Sequence, residues 1–295
     1  MSATFAAQAA APTVPLPFVT AQINYAGKMP SRPRFDLVEP SRTNLAFEPH
    51  SVRIHDVRGV SEQFSLDVEG FAFITCPSAY AGRPEMRELN ITHQLQGNAV
   101  NHGYHAEVAD RLKALTGARE IVPQTSGLIV RTTGGPRKQS WAGPATFVHL
   151  DYTAPTAELF LGIALGEEGR QVAPYRRFAV YQTWRAISPA PQPNTLAVCD
   201  GRSVSPSDAI FWDNRLGPDD VPGTCFESRL CRAGDGHRWY YLSNMTMDDL
   251  LVFKGFDSDH PDAMNAMHTS FDHPEAGPGA IPRESLESRF FAFFD

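Results

Sequence analysis

In the stretch ATFVHLDYT (145–153), His149 and Asp151 stand two residues apart in an apolar, β-branched context. Side chains of a strand alternate between faces, so this imidazole and this carboxylate share one face while Leu150 points into the opposite layer. Two imidazoles and one carboxylate on one octahedral face hold non-haem Fe(II) and leave positions open for a co-substrate and O2. His149 and Asp151 supply two of those three ligands. The triplet is weak by itself, and His260-Pro261-Asp262 repeats it. Pro261 lacks the N–H a strand ladder needs, so SDHPDA reads as a loop and position favours His149.

The histidines after Asp151 that could complete a triad are His237, His260, His268 and His273. His260 and His273 precede prolines in expected loops, and His237 opens the expected strand HRWYYLSN. His268 lies in NAMHTSFD, one strand before the C-terminal strand, where oxygenases with this triad carry their distal histidine. It is the preferred third ligand, with His237 in reserve. Near the C-terminus, IPRESLESRFFAFF (281–294) puts Arg283, Ser285 and Arg289 on one parity. A planar guanidinium suits bidentate capture of a carboxylate, and a neighbouring hydroxyl adds a hydrogen bond. Either Arg283 or Arg289 could hold the distal carboxylate of 2-oxoglutarate, and Arg289 could instead support the metal ligands. The plainer alternative makes Arg283 a solvated loop residue and Arg289 a surface partner of Glu284 or Glu287.

Other residues carry weaker signals. Arg185, after FAVYQTW, could point inward to a carboxylate, whereas Trp184 reads as core. Lys254, inside the apolar LLVFKGF, reads as facing an edge, with burial beside Asp257 as the alternative. Tyr240 and Tyr241 lie in an aromatic run more typical of a core than of a pocket. The loop QLQGNAVNHGYH (94–105) is placed to act as a lid over the mouth of the fold.

The elements that must position these residues are mostly strands. Apolar residues Tyr104, Val108, Leu112 and Leu115 keep helical spacing in 102–118, and Gly117 is a stop signal. FSLDVEGFAFITCP (64–77) alternates like a strand or hairpin. After residue 120, eight short candidate strands are separated by Gly, Pro, Asn and Asp clusters. The expected class is β-rich α+β, with a double-stranded β-helix (jelly roll, cupin-like) core and flanking helices. Residues 1–50 are expected to form an extended N-terminal arm and 51–295 the oxygenase domain. The Pro-rich arm hints at a homodimer through arm exchange.

Composition narrows the partners. The 295-residue chain is 42% hydrophobic, enough for a substantial core, and its net charge of −7 without Lys/Arg clusters argues against nucleic acid. The four cysteines form no CxxC pair, so neither a zinc ribbon nor a disulfide framework is indicated. No apolar run reaches a membrane span and the N-terminus lacks a basic leader region, so a soluble, cytoplasmic protein acting on a small molecule is expected.

The blocks DVEGFAF, VHLDYT, TWRAI, LAVCDGRSV, HRWYYLSNMTMDDLLVFKGFDS and HTSFDHP…PRESLESR resemble, in order and spacing, the CmcJ/AsaB-like hydroxylase/desaturase family. That family includes a cephalosporin 7α-methoxylation subunit and an endoperoxide-forming oxygenase of fungal meroterpenoid biosynthesis. The resemblance runs from about residue 50 to the C-terminus. It implies an Fe(II)- and 2-oxoglutarate-dependent enzyme that oxidises small secondary metabolites with O2, by hydroxylation, desaturation or endoperoxide formation. His149, Asp151 and His268 would hold the metal, and Arg283 and Arg289 would serve the co-substrate. A metal-free accessory subunit and a cupin-like isomerase needing no 2-oxoglutarate are the alternatives.

Overall fold

The computed structural model describes residues 15–88, 99–134 and 143–295. In chain order the elements are β1 (Phe18–Ala26), β2 (Arg34–Asp36), β3 (Phe47–Asp56), β4 (Phe71–Thr75), α1 (Pro84–Glu88), α2 (Ala99–Thr116), β5 (Glu120–Thr132), β6 (His149–Leu150), α3 (Ala154–Glu168), β7 (Arg177–Ala186), β8 (Asn194–Cys199), β9 (Ala209–Arg215), β10 (Cys225–Cys231), β11 (Trp239–Tyr241), β12 (Asp249–Asp257), β13 (His268–Asp272) and β14 (Glu284–Phe294).

These strands form two mostly antiparallel sheets. The larger runs β1-β3-β11-β8-β13-β6-β10-β9-β2, and the smaller runs β4-β12-β7-β14-β5. The β3–β11 and β2–β9 pairs are parallel. The sheets face each other across an apolar layer in which Leu196, Val198 and Tyr240 of the larger meet Phe71, Phe73, Trp184, Leu251 and Phe253 of the smaller. Alternation dictates this arrangement: Trp184 and Ala186 point inward, while Ala179 and Tyr181 point outward into a second cluster with Tyr104, Val108 and Leu112 of α2. Helix α3 closes one end of the sandwich, burying Ala157, Leu161 and Ala164 against Val180, Phe291 and Phe293.

Local sequence explains where several elements begin and end. Helix α2 covers the expected helical stretch, and the N–H of Gly117, at φ +69°, bonds back to the Lys113 carbonyl just past its end. The expected strand 145–153 is shorter, because it pairs as a ladder only at His149 and Leu150. Before it, Phe147 bridges Asn24 of β1. After it, Thr153 begins α3, with Pro155 in the first turn and Gly169 closing the helix. That helix was not expected: ELFLGIALG is apolar at nearly consecutive positions and shows no single stripe.

Within the stretch expected to be an arm, β1 pairs along its whole length with β3. Its inward residues Val19, Ala21, Ile23 and Tyr25 cover Leu150, Cys231 and Met267 on the outer face of the larger sheet. Residues 94–98 of the expected lid lie outside the described residues. Residues 99–105 are the first turns of α2, with Asn101, Tyr104 and His105 buried.

Candidate metal and co-substrate site

Strands β6 and β13 are neighbours in the larger sheet, with His149 directly opposite His268. Opposed residues of an antiparallel pair share a face, so the two rings meet with centroids 4.2 Å apart. Asp151, two residues beyond His149, joins them, and one ligand atom from each of the three lies within 4.8 Å of the others. Both histidines are buried and Asp151 is partly so.

The ring orientations are fixed from behind. His149 Nδ1 donates to the Phe147 carbonyl at 2.8 Å, and His268 Nδ1 to the Ala266 carbonyl at 3.3 Å. A carbonyl can only accept, so Nδ1 carries the proton in both rings and each Nε2 keeps a lone pair for a ligand. His149 Nε2 stands 3.4 Å from Asp151 Oδ1. Phe253 of β12 packs against His268 at 4.7 Å between ring centroids, placing an apolar wall beside the cluster. Burial, then the neighbouring His149, depresses the His268 pKa to about 3. Burial alone would raise the Asp151 carboxyl, but Arg289, followed by the two histidines, outweighs it and holds the group ionised well below the usual carboxylate range. An ionised, partly buried carboxylate with two imidazole Nε2 atoms is a donor set that divalent iron takes.

Strand β14 carries Ser285, Glu287 and Arg289 on its inward parity, opposite Ala186, Trp184 and Gln182 of β7, and Arg283 stands immediately before the strand. Arg289 Nη2 donates to Asp151 Oδ2 at 3.1 Å, so this arginine is committed to the His149–Asp151–His268 cluster. Arg283 is different. It is 1% exposed, its guanidinium lies 5.5 Å from the centre of the Trp184 ring, and Nη1 donates to the Asn194 carbonyl at 3.3 Å. Among the described residues, its Nε and Nη2 and the hydroxyl of fully buried Ser285 have no hydrogen-bond partner. Burial, partly offset by Glu287, pulls the Arg283 pKa down to about 10. A buried cation with idle donors is costly unless an anion meets it, and two free N–H groups of one guanidinium match a carboxylate. Glu287, between Arg283 and Arg289 in sequence, does not serve as that anion's substitute: it pairs with Arg131 Nε at 2.6 Å.

The remaining candidates lie elsewhere. Arg185 does not reach this cluster, which corrects its expected inward role. Strand parity turns it to the outer face of the smaller sheet, where its Nε donates to the Tyr104 hydroxyl at 3.3 Å under α2. His237 bonds Tyr25 and Asp208, His273 approaches the Tyr241 hydroxyl, and His260 sits in an exposed turn. Lys254 is buried and donates to Asp257 at 3.1 Å, so the edge-facing reading gives way to the paired one. Sequence reasoning passed over Gln182, whose Nε2 donates to Asp151 Oδ2 at 2.6 Å. Its parity with Trp184 was the available signal.

Comparison with known proteins bears on the family. A family model described as "YDMC: Oxidoreductase/YMDC permease-like domain" matches residues 23–293. Among the described residues no helix is long and apolar enough to cross a membrane. The Fe(II)/2-oxoglutarate-dependent dioxygenase nvfI of Aspergillus novofumigatus is 30% identical over 258 residues, 86% of each chain. The hydroxylase/desaturase CTB9 of Cercospora beticola is 29% identical, over 84% of this chain and 78% of its own. A solved structure of the iron and alpha-ketoglutarate-dependent endoperoxidase NvfI superposes with a TM-score of 0.74 at 25% identity, covering 94% of this chain and 98% of that one. With the family model spanning nearly the whole chain and nvfI alike over most of both lengths, the protein belongs to the CmcJ/AsaB-like hydroxylase/desaturase family.

Proposed function

We propose that this protein is an Fe(II)- and 2-oxoglutarate-dependent dioxygenase that oxidises a small secondary metabolite at a C–H bond. The outcome is hydroxylation, desaturation or endoperoxide formation. The observation that carries this reading is an interior between two facing sheets that bears both parts of such a site: His149, Asp151 and His268 clustered at β6 and β13 of the larger sheet, and a buried Arg283 with idle donors just before β14 of the smaller. The two facing sheets are read as the halves of a double-stranded β-helix, whose interior is the place for convergent ligands.

His149 Nε2, a carboxylate oxygen of Asp151 and His268 Nε2 would hold the iron. Arg283 and Ser285 would take the distal carboxylate of 2-oxoglutarate, with Trp184 stacked on the guanidinium. When bound, iron and 2-oxoglutarate supply, from O2, an oxidant able to remove a hydrogen atom from the substrate. The chain's own part is to orient these groups and keep water out, through the wall of Phe253 and Trp184.

The test is anaerobic addition of Fe(II) and then 2-oxoglutarate, watching for the weak visible charge-transfer band of the chelate. The band is expected with wild-type protein and lost in His149→Ala and His268→Ala. Folded wild type that binds Fe(II) and 2-oxoglutarate without any band, or binds neither, overturns the reading.

A further inference from the structure

The two oxygens of Asp151 stand in different surroundings. Oδ2 accepts from Gln182 Nε2 at 2.6 Å and from Arg289 Nη2 at 3.1 Å. Oδ1 faces His149 Nε2 at 3.4 Å, on the side where the imidazole lone pairs converge. The two donors come from adjacent strands of the opposite sheet, where Gln182 of β7 is directly across from Arg289 of β14. The carboxylate on the larger sheet is therefore gripped from the smaller one.

Room for that grip is built into β12. Its pairing with β7 slips between Lys254 and Phe256, leaving Gly255 in an irregularity. A Cβ on Gly255 would lie 2.7 Å from Gln182 Oε1 and 2.7 Å from the Tyr152 ring. Only a residue without a side chain lets the Gln182 amide stand where it does. Among the described residues Gln182 Oε1 has no hydrogen-bond partner, while its NH2 is turned to the Asp151 carboxylate.

We propose that Gln182 and Arg289 are positioning residues that occupy Oδ2 and so make Asp151 a one-oxygen ligand, offering Oδ1 alone to the metal. This rests on the assignment of the triad as the iron site. A carboxylate not held this way can swing to chelate with both oxygens, which would use a coordination position that a co-substrate needs.

The experiment compares wild type with Gln182→Met, close in shape, and Gln182→Leu. Each is titrated with Fe(II), and with Co(II) as a spectroscopic probe whose visible ligand-field bands report coordination number. Outer partners of metal ligands typically contribute about 10- to 100-fold to metal affinity. Either variant is expected to bind Fe(II) more weakly within that range and to shift the Co(II) bands toward higher coordination. If wild type binds metal and the variants match it in affinity and in Co(II) spectrum, the positioning role is wrong while the iron site stands. If wild type and variants alike bind no metal, whereas all are folded, the site assignment itself fails.

Discussion

Arg283 and Arg289 have the same type and the same parity, but different jobs follow from their partners. Arg289 is paired with a carboxylate of the chain, and Arg283 is buried over Trp184 with donors to spare. Losing one partner of a buried, hydrogen-bonded charge pair costs about 2–5 kcal/mol. Arg283→Ala should therefore weaken 2-oxoglutarate binding by about 30-fold or more, with Fe(II) affinity unchanged, as read by titrating the charge-transfer band. Ser285→Ala removes a single hydroxyl and should cost about 1 kcal/mol, or about 5-fold. Equal 2-oxoglutarate affinity in wild type and Arg283→Ala would place the distal carboxylate elsewhere.

Helix α2 covers the outer face of the smaller sheet and buries a titratable group to do so. His105 packs against Phe290 at 5.5 Å between ring centroids, with Nδ1 bonded to the Asn101 carbonyl and Nε2 unpartnered. Burial depresses its pKa to about 4, against an ordinary value of 6.5. The unfolded chain then takes up the proton first as pH falls. His105 thus costs nothing above about pH 6.5, destabilises progressively down to about pH 4, and adds no further loss below that. At pH 5 its share is about 2 kcal/mol, on the linkage relation. In urea unfolding, His105→Leu should lose less stability than wild type between pH 7 and pH 5. Parallel losses in both proteins would show that the helix does not hold this ring neutral.

At the scale of the whole molecule, the apolar interior protects most reactive sulfur. All four cysteines are free, and Cys76, Cys199 and Cys231 are buried while Cys225 is exposed. Burial pushes the Cys199 thiol up to about 12, so it is a poor nucleophile as well as an inaccessible one. Titration with a disulfide reagent should find one fast thiol in native protein and all four after denaturation. Loss of the fast thiol in Cys225→Ser identifies it; two or more fast thiols in native wild type would contradict the packing. Strand β1 belongs to this same protective layer, because Ile23 and Tyr25 seal the back of the β6–β13 region that presents the two histidines. Deleting residues 1–27 should expose Leu150 and Met267 and give protein that aggregates or binds a hydrophobic dye. A soluble, cooperatively unfolding deletion would show that the strand is dispensable.

The sequence alone determined the types of the candidate ligands, their spacing and the strands that carry most of them. His149 and Asp151 were legible because period-two alternation is a local property of an extended chain, and His268 because it lies in the strand before the last. Helix α2 was legible from its apolar spacing. Tertiary structure decided the rest. Which arginine meets the metal cluster depends on the register of β14 against β7, and which way Arg185 points depends on the face that α2 covers. Gln182 became part of the site only when the two sheets faced each other, since its partner Asp151 is 31 positions away, just past a strand of the other sheet. The irregularity at Gly255 that makes room for it is set by strand pairing. Such relations are contacts between segments distant along the chain, and no local pattern of residue types encodes their register.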